Sequence, residues 1–410
     1  MRSSLVFVES NTTGTGMLAL AKSRDLGLRP VLVTGRPGRY RGLSDVDAEV
    51  IVCDTNDTGE IADRLDATEL AGITTTSEYY LPAAAELAAK FGVPGNPPGA
   101  ARRCRDKAAV RAALSGAGIG QPRWAVASAA GEVAGAVAEV GLPCVVKPVD
   151  ESGSSGVRLC STLDEARTQA AALLAVTRNV RDQPSAGLVL FEEYVDGREF
   201  SVELFGHAGV TSCVGITEKT VVGEPWFVEA GHVFPASLDG PDAAAIVSAV
   251  REAVAVLGIG LGATHTEVRL TERGPVLIEI NARAAGGMIP ELVRLATGVD
   301  LLEQQLRAAA GLPVRLDPTR AGHAGIAFLL SPGDGVLTSV SGAAEARAVP
   351  GVERVTLTTE PGSRVHPARD AYHRLGHVIA AGRDPRAVGE SLGLAKAAIA
   401  VHIEQGDRST

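Results

Sequence analysis

One stretch of the sequence places two glutamates, an asparagine and a histidine where a β-hairpin would bring them together. Apolar and polar residues alternate on both sides of a Gly-containing turn centred on Arg273. A hairpin with this centre sets Glu267 opposite Glu279 and His265 opposite Asn281, on one face because strand side chains alternate. Two opposed carboxylates have Cβ atoms roughly 5 Å apart and repel each other unless a cation lies between them.

The ligand chemistry of this hairpin predicts a divalent metal. Glu267, Glu279 and Asn281 offer only oxygen ligands, which favour Mg²⁺ or Mn²⁺ over zinc. Arg283 continues the same row and is placed to meet an anion. The alternative interpretation is an edge hairpin that carries two solvated glutamates and binds nothing.

A lysine and a small-residue loop form a second candidate element. Lys147 ends an apolar strand over 144–148, and such a lysine can reach a phosphate as a mobile point charge. Ser154, Ser155 and Gly156 follow in a loop whose backbone N–H groups could close over phosphate oxygens. No Gly-Lys-Ser/Thr follows, so the loop is not a P-loop, and an ordinary hairpin turn is the alternative.

Two further acidic positions have a structural and a functional interpretation. Residues 199–204 alternate as a strand, and Glu199 on its polar face is either a ribose acceptor or one of several solvated carboxylates. Glu229 and His232 lie in a Gly- and Pro-punctuated region over 217–235, which by itself predicts an exposed loop.

The first hundred residues predict the scaffold that carries these residues. Four short apolar strands alternate with helices, which is typical of a parallel sheet built from β-α-β units. The first turn, Gly14-x-Gly16-x-x-Ala19, fits a loose dinucleotide fingerprint. Arg36 could accept a 2′-phosphate, so an NADP-dependent oxidoreductase remains an alternative.

Composition excludes several classes of protein. The 410 residues are 45% hydrophobic and 21% charged, with a net charge of −9 and no basic run, which disfavours wholesale disorder and nucleic-acid binding. The apolar segment over 243–263 is interrupted by charges, so no membrane span is predicted. Five cysteines without a CxxC spacing indicate reduced, mostly buried thiols and a cytoplasmic location.

The order of these elements resembles the ATP-grasp superfamily of carboxylate–amine ligases. Within it, the chain is most similar to the L-amino acid ligases, which join two amino acids into a dipeptide. The narrower match rests on residues 229–235 and on the run 279–290 with its Gly286-Gly287 pair. The wider match rests on the lysines, the small-residue loop and the glutamates: Lys107, Lys147, Ser154, Ser155, Gly156, Glu192, Glu193, Val195, Glu199, Glu267, Glu279, Asn281 and Arg283.

The resemblance implies an ATP-grasp fold that combines α/β and α+β parts. It divides the chain into a parallel α/β, Rossmann-like domain over 1–99 and a linker helix with a small mobile lid over 100–190. An antiparallel-sheet catalytic domain over 191–319 and a C-terminal subdomain over 320–410 follow. A homodimer is one oligomeric form found among relatives.

The resemblance also implies a role for each candidate residue. Lys107, Lys147 and the small-residue loop would hold the ATP phosphates. Backbone groups of Glu193 and Val195 would hold the adenine and Glu199 the ribose, with Glu192 also in the nucleotide site. Glu267, Glu279 and Asn281 would bind Mg²⁺ or Mn²⁺.

Arg283 would neutralise charge on the acylphosphate and on the tetrahedral intermediate. Glu229, His232, Gly286 and Gly287 would contact an amino acid or amino-acid-like substrate. Some relatives build peptide antibiotics, so antibiotic biosynthesis is one context expected for this chain. A non-catalytic ATP-binding module is a further alternative.

Overall fold

A computed structural model describes residues 3–12, 15–65 and 67–404 of the chain. The N-terminal part is a four-stranded parallel sheet, as the sequence predicts. Its strand order is β3-β2-β1-β4. Strand β1 is buried along its whole length because helices cover both faces of a parallel sheet. The elements are β1 (Ser4–Val8), α1 (Thr15–Asp25), β2 (Arg29–Thr34), β3 (Glu49–Val52), α2 (Thr58–Asp63), β4 (Leu70–Thr74) and α3 (Leu81–Phe91).

A linker and a small four-stranded sheet follow. This sheet is called the lid sheet below, and the loop over 149–157 that joins two of its strands is called the lid loop. The sheet has the order β5-β8-β6-β7, and its two helices pack on one face around a core that includes Val146 and Phe191. Lys147 lies near the end of β6, next to the loop of the β6–β7 hairpin, as predicted. The elements are α4 (Pro98–Arg105), α5 (Lys107–Ala117), β5 (Trp124–Ala127), α6 (Val133–Val140), β6 (Cys144–Pro148), β7 (Arg158–Cys160), α7 (Leu163–Leu174) and β8 (Val189–Glu193).

The largest sheet is antiparallel and begins directly after the lid sheet. The chain passes from one to the other through Asp196 and Gly197, so the two strands that flank this turn belong to different sheets and do not pair. The elements are β9 (Arg198–His207), β10 (Val210–Val222), β11 (Val228–Phe234), α8 (Gly240–Leu257), β12 (Gly262–Thr271), β13 (Gly274–Asn281), α9 (Ile289–Thr297), α10 (Leu301–Ala309) and β14 (His323–Leu330).

The C-terminal residues extend that sheet and add a small one. The large sheet has eight strands in the order β13-β12-β9-β10-β11-β14-β18-β16, and the small one has the order β17-β15-β19. The large sheet therefore continues across residue 320, where a domain boundary is predicted. The elements are β15 (Gly335–Ser341), α11 (Ala343–Ala348), β16 (Val352–Leu357), β17 (Arg364–Val365), β18 (Arg374–Gly382), α12 (Pro385–Ala398) and β19 (Ala400–Glu404).

The β12–β13 hairpin has the predicted pairing at its inner end, with Glu267 opposite Glu279 and His265 opposite Asn281. Thr271 pairs with Gly274, so the turn is centred between Glu272 and Arg273, half a residue before the predicted centre at Arg273. A bulge at Ile278 restores the predicted register. Arg111 Nη2 donates to the Ile278 carbonyl at 2.5 Å, which gives this unpaired residue a hydrogen-bond partner.

Residues 217–235 form strands, not the exposed loop that their Gly and Pro content predicts. Most of the region belongs to β10 and β11, and His232 is 1% exposed. Neighbouring strands cover this segment on both sides, and tertiary packing overrides its local composition.

The overall class agrees with the predicted mixture of α/β and α+β parts. The predicted domain boundaries stay predictions, and their outermost residues, 1–2 and 405–410, lie outside the described part of the chain. All five cysteines are free thiols, four of them buried. In the three described ranges, no helix combines the length and apolar character that a membrane span requires.

Candidate functional site

A buried lysine lies at the centre of the charged face of the large sheet. The Lys219 ammonium on β10 is 2.5 Å from Glu267 Oε1, 2.7 Å from Glu229 Oε1 and 3.2 Å from Glu199 Oε1. Its side chain is only 1% exposed. Three different strands thus supply carboxylates to one cation.

The charges of this cluster stabilise one another despite burial. Burial by itself would lower the pKa of Lys219, but the three carboxylates raise it well above its ordinary value. Burial would likewise raise the pKa of Glu229 and Glu267, and Lys219 outweighs it and holds both well below the ordinary value. The lysine and both carboxylates are therefore ionised at neutral pH.

The predicted metal ligands lie on this face beside their own counter-charges. Lys107 Nζ is 3.5 Å from Glu279 Oε1, and His265 Nε2 is 3.5 Å from Glu267 Oε1. The Asn281 amide can donate to the neighbouring carboxylates when its nitrogen faces them. In this orientation the nitrogen is 3.2 Å from Glu279 Oε1. Each carboxylate thus has a nearby cation or histidine, so their mutual repulsion is already compensated.

Glu267 and Glu279 fit Mg²⁺ or Mn²⁺ by their chemistry, and Asn281 would complete the set once its amide turns to present its oxygen to the ion. Among the residues that the structure describes, no cluster of three or more His, Cys, Asp or Glu side chains could hold a metal by itself. Mg²⁺ in phosphoryl-transfer sites takes one or two carboxylates plus substrate phosphates and water. The ligand set therefore fits a metal that binds together with a nucleotide.

Arg283 is held by a glutamate that follows the last strand of the N-terminal sheet. Its Nη2 is 2.5 Å and its Nε 3.0 Å from Glu78 Oε2, and Ser152 Oγ of the lid loop donates to the same oxygen at 2.8 Å. Burial would raise the pKa of Glu78, but Arg283, Lys107 and Arg105 outweigh it and lower the pKa to about 2. Glu78 therefore connects the first domain, the lid loop and the predicted catalytic arginine.

Lys147 is buried in an ion pair inside the lid sheet. Its Nζ is 2.6 Å from Glu192 Oε2, and Arg111 Nε is 2.6 Å from Glu192 Oε1. Both oxygens of Glu192 are thus engaged by cations, and these contacts orient Lys147. Burial opposes it, yet Arg111 and Lys147 lower the pKa of Glu192.

A pocket of about 510 Å³ opens beside Glu199. Tyr194 and Phe227 stack there with ring centroids 6.0 Å apart, and Arg269 lies over both rings. Arg269 also donates to Glu199 Oε2 at 3.0 Å and to the Val195 carbonyl at 2.6 Å. The pocket thus offers an aromatic and cationic wall next to the predicted adenine and ribose positions.

The lid loop packs against its neighbours. Lys107 Nζ donates to the Glu151 carbonyl at 2.6 Å, and an added Cβ at Gly153 would come within 3.2 Å of the Tyr372 ring. Ser154 and Gly156 both have positive φ, 62° and 73°, which bends the chain tightly between strands β6 and β7. The small residues of this loop therefore pack where larger side chains would not fit.

The predicted substrate residues meet around His232. A Cβ added at Gly287 would lie 2.7 Å from His232 Nε2, so only glycine leaves this edge of the ring open. Glu229 Oε2 is 3.7 Å from the same nitrogen. Neither ring nitrogen has a hydrogen-bond partner among the described residues, and burial lowers the pKa of His232 to about 4. Its orphaned donor and acceptor are what a polar ligand would satisfy.

Sequence reasoning missed several residues of the site. Glu78 follows strand β4, and an acidic side chain at the carboxyl end of a parallel strand is a signal that could have found it. Arg111 and Arg374 carry no such signal, because their partners Glu192 and Glu229 are 81 and 145 residues away. Only the fold brings these pairs together.

The comparisons with known proteins agree with this geometry. A family model of the ATP-grasp domain matches residues 140–291, and a model of the L-amino acid ligase C-terminal domain 2 matches residues 327–404. An uncharacterised protein of Sinorhizobium fredii is 34% identical over 384 residues, which cover 93% of this chain and 79% of that protein. The chain belongs to the ATP-grasp carboxylate–amine ligases of the L-amino acid ligase type.

Two further relatives define the extent of the likeness. Alanine–anticapsin ligase of Bacillus subtilis is 30% identical over 251 residues, which cover 56% of this chain and 52% of that enzyme. The crystal structure of L-amino acid ligase from Bacillus licheniformis superimposes with a TM-score of 0.84 at 21% identity, over 99% of this chain and 100% of that one. The second comparison shows the same fold throughout.

The alternatives kept open by the sequence find no support. Neither matched family model describes an oxidoreductase. Gly14 of the dinucleotide fingerprint lies outside the described residues, and Arg36 lies 3.9 Å from Asp182. A loose glycine turn at the start of a parallel sheet is common to many folds, which explains why the fingerprint was weak evidence.

The ion pairs of the buried Glu192 predict how the free energy of unfolding depends on pH in the acidic range. Its pKa is lower in the folded chain than in the unfolded one, so the stability it contributes is full above about pH 4.5 and is lost as the pH falls below that value. Glu192→Gln should cost about 3–5 kcal/mol at pH 7, because two buried cations lose their partner. Below pH 4.5 the gap to wild type should narrow.

Urea unfolding at several pH values between 3 and 7 measures this dependence. Glu139→Gln, on the exposed side of α6, removes the same charge without a buried partner and serves as the control. Parallel curves for wild type and Glu192→Gln over this range would contradict the proposed ionisation of Glu192.

Proposed function

We propose that this chain joins the carboxylate of one amino acid to the amine of a second substrate, with ATP as the energy source. The observation that carries the proposal is the opposed pair Glu267 and Glu279 beside Asn281, on the face where Lys219 and Arg283 collect anionic groups. Phosphoryl transfer depends on positioning and on cations more than on a protein nucleophile, and this face supplies both.

Different groups of residues are proposed to bind different parts of ATP and its metal. Lys107 and Lys147 are proposed to bind ATP phosphates, with Ser154, Ser155 and Gly156 of the lid loop above them. Backbone groups of Glu193 and Val195 would hold adenine, and Glu199 the ribose. Mg²⁺ or Mn²⁺ bound by the three hairpin ligands would supply positive charge against the phosphates.

The chemistry proceeds in two steps. A carboxylate oxygen of the first amino acid attacks the γ-phosphorus of ATP, the bond to the β-phosphate oxygen breaks, and ADP leaves. The amine of the second substrate then attacks the acyl carbon, loses a proton, and expels phosphate as the amide forms. Arg283 is proposed to stabilise the negative charge of both transition states, a contribution that is often several kcal/mol.

The first amino acid is proposed to bind through its ammonium group at Glu229 and His232. Both Glu229 oxygens already accept one cation each, from Lys219 and Arg374, but a carboxylate offers about four lone-pair sites. A neutral His232 can accept a hydrogen bond from the ammonium. Gly287 keeps a side chain away from the imidazole, because an added Cβ would lie 2.7 Å from Nε2. Gly286, beside it, is proposed to contact the same substrate.

Relatives suggest finer details that remain proposals. The name of alanine–anticapsin ligase pairs alanine with a second compound, and dipeptide formation is proposed for this chain as well. Antibiotic biosynthesis is the context that the family resemblance implies. The cytoplasmic location and the homodimer expected from the sequence stay predictions.

A panel of amino acid pairs tests the activity. With ATP and Mg²⁺, ADP release should require both members of a pair, and the product should contain one amide bond per ADP. Glu279→Gln should reduce this rate at least about a hundredfold, since it removes a charged metal ligand.

Glu272→Gln in the exposed hairpin turn is the matched control, because it makes the same change outside the site. It should retain wild-type turnover. Absence of amino-acid-dependent ADP release across the panel, or full activity in Glu279→Gln, would contradict the proposed function.

His232 makes the substrate proposal testable apart from folding. His232→Leu removes two buried polar atoms that have no partner, so the variant should be at least as stable as wild type. Ligation should nevertheless fall at least about tenfold, since a hydrogen bond to a charged group is worth about 1.5–3 kcal/mol. The KM for ATP should hardly change.

His377→Leu is the control. The Phe328 ring on β14 packs edge-on against His232 on one neighbouring strand, β11, and against His377 on the other, β18. Thermal melts and ligation rates of both variants should be compared. Wild-type kinetics in a folded His232→Leu protein would remove His232 from the substrate site.

A further inference from the structure

Residues 366–373, in the C-terminal part of the chain, contact the lid loop, and the proposed chemistry gives them no role. The Ala371 N–H donates to the Gly153 carbonyl at 3.4 Å. A Cβ added at Gly153 would lie 3.2 Å from Cε2 of the Tyr372 ring, so this ring covers the open side of the glycine. The contact comes directly before Ser154, the first of the small residues that are proposed to hold the ATP phosphates.

The two serines of the lid loop depend on the anchors of their neighbours. Glu151 and Ser152 are joined to the N-terminal domain by hydrogen bonds of 2.7 Å and 2.8 Å. Within the described part of the chain, Ser154 and Ser155 hydrogen-bond only inside the loop. The contact at Gly153 is therefore the anchor nearest to the two serines on this side of the loop.

The 366–373 segment is itself fixed by local contacts, so it can hold the loop. Asp370 Oδ1 accepts a hydrogen bond from the Tyr372 N–H at 2.8 Å and lies 2.8 Å from His373 Nδ1. The centroids of the His366 and His373 rings are 4.1 Å apart. These contacts fix the backbone that carries the Tyr372 ring.

Trp226 joins the same segment to the lid sheet. The guanidinium carbon of Arg369 lies 5.2 Å from the centroid of the Trp226 ring, and that of Arg158 on β7 lies 5.5 Å from it. Cation–π contacts at this distance are attractive. The 366–373 segment thus meets the lid loop directly and, through Trp226, the strand that follows the loop.

We propose that Tyr372 is a positioning residue for the lid loop, which it holds over the ATP phosphates so that water is kept from the acylphosphate. This inference rests on the proposed ligase function and adds to it a role for the 366–373 segment. If water reaches the acyl carbon, it attacks in place of the amine, loses a proton and expels phosphate. The first amino acid is then regenerated and ATP is consumed without an amide, which a closed loop prevents.

The ratio of amide formed to ADP released tests this inference. For a pair of amino acids that the wild type ligates, the ratio should be about one, because a closed site protects the acylphosphate. Tyr372→Ala should lower the ratio at least about threefold and raise the KM for ATP by a similar factor, because the loop is held less closely. Tyr372→Phe keeps the ring and should retain the wild-type ratio.

Hydrogen exchange of the nucleotide-free protein measures the loop without any turnover. Amides over 149–157 should exchange at least about fivefold faster in Tyr372→Ala than in wild type, because local opening becomes easier. Tyr372 is 69% exposed, so the melting temperature should hardly change. Leu394→Ala on α12, 62% exposed, shortens another exposed side chain and should match wild type in every assay.

The outcomes separate this inference from the proposed function. A wild-type amide-to-ADP ratio in a Tyr372→Ala protein whose loop exchanges faster would make the contact merely structural and overturn the inference. Unchanged exchange of the loop, or an equal fall of the ratio in Tyr372→Phe, would overturn it as well, and each of these results leaves the ligase activity in place. A wild type that ligates no pair and releases no amino-acid-dependent ADP would overturn the proposed function and this inference together.

Discussion

The contact of Lys219 with three carboxylates is the interaction on which the charged face of the large sheet depends. Glu199, Glu229 and Glu267 come from three strands and lie within 3.2 Å of one ammonium that is almost fully buried. Without that cation, three buried negative charges would repel one another and would each bear a desolvation cost of several kcal/mol. With it, the carboxylates of this face stay ionised.

The same logic links the domains. Glu78, which follows strand β4 of the N-terminal sheet, accepts hydrogen bonds from Arg283 and from Ser152 of the lid loop, and Glu229 accepts one from Arg374 of the C-terminal segment. Each carboxylate thus pairs with a cation or hydroxyl from a different part of the chain. Paired charges of this kind specify geometry as well as energy, because either partner alone would be a buried unpaired group.

Local patterns predicted the elements whose signal is contained in a few neighbouring residues. The parallel N-terminal strands and the pairing of Glu267 with Glu279 follow from alternation and turn chemistry alone. The bulge at Ile278 was invisible, because it depends on Arg111, a residue more than 160 positions away that donates to its carbonyl. Residues 217–235 were misread as a loop for a similar reason, since strand neighbours and not composition decide their structure.

The proposed ligase chemistry makes a specific statement about one oxygen atom. If the first amino acid attacks ATP directly, a carboxylate oxygen remains on the phosphorus when the amine displaces phosphate. Ligation with an acid substrate labelled with ¹⁸O in its carboxylate, followed by mass spectrometry of the released phosphate, measures this transfer. One labelled oxygen per phosphate, in step with amide formation, is the result expected for an acylphosphate. Phosphate without label, in a reaction that still forms the amide, would contradict it.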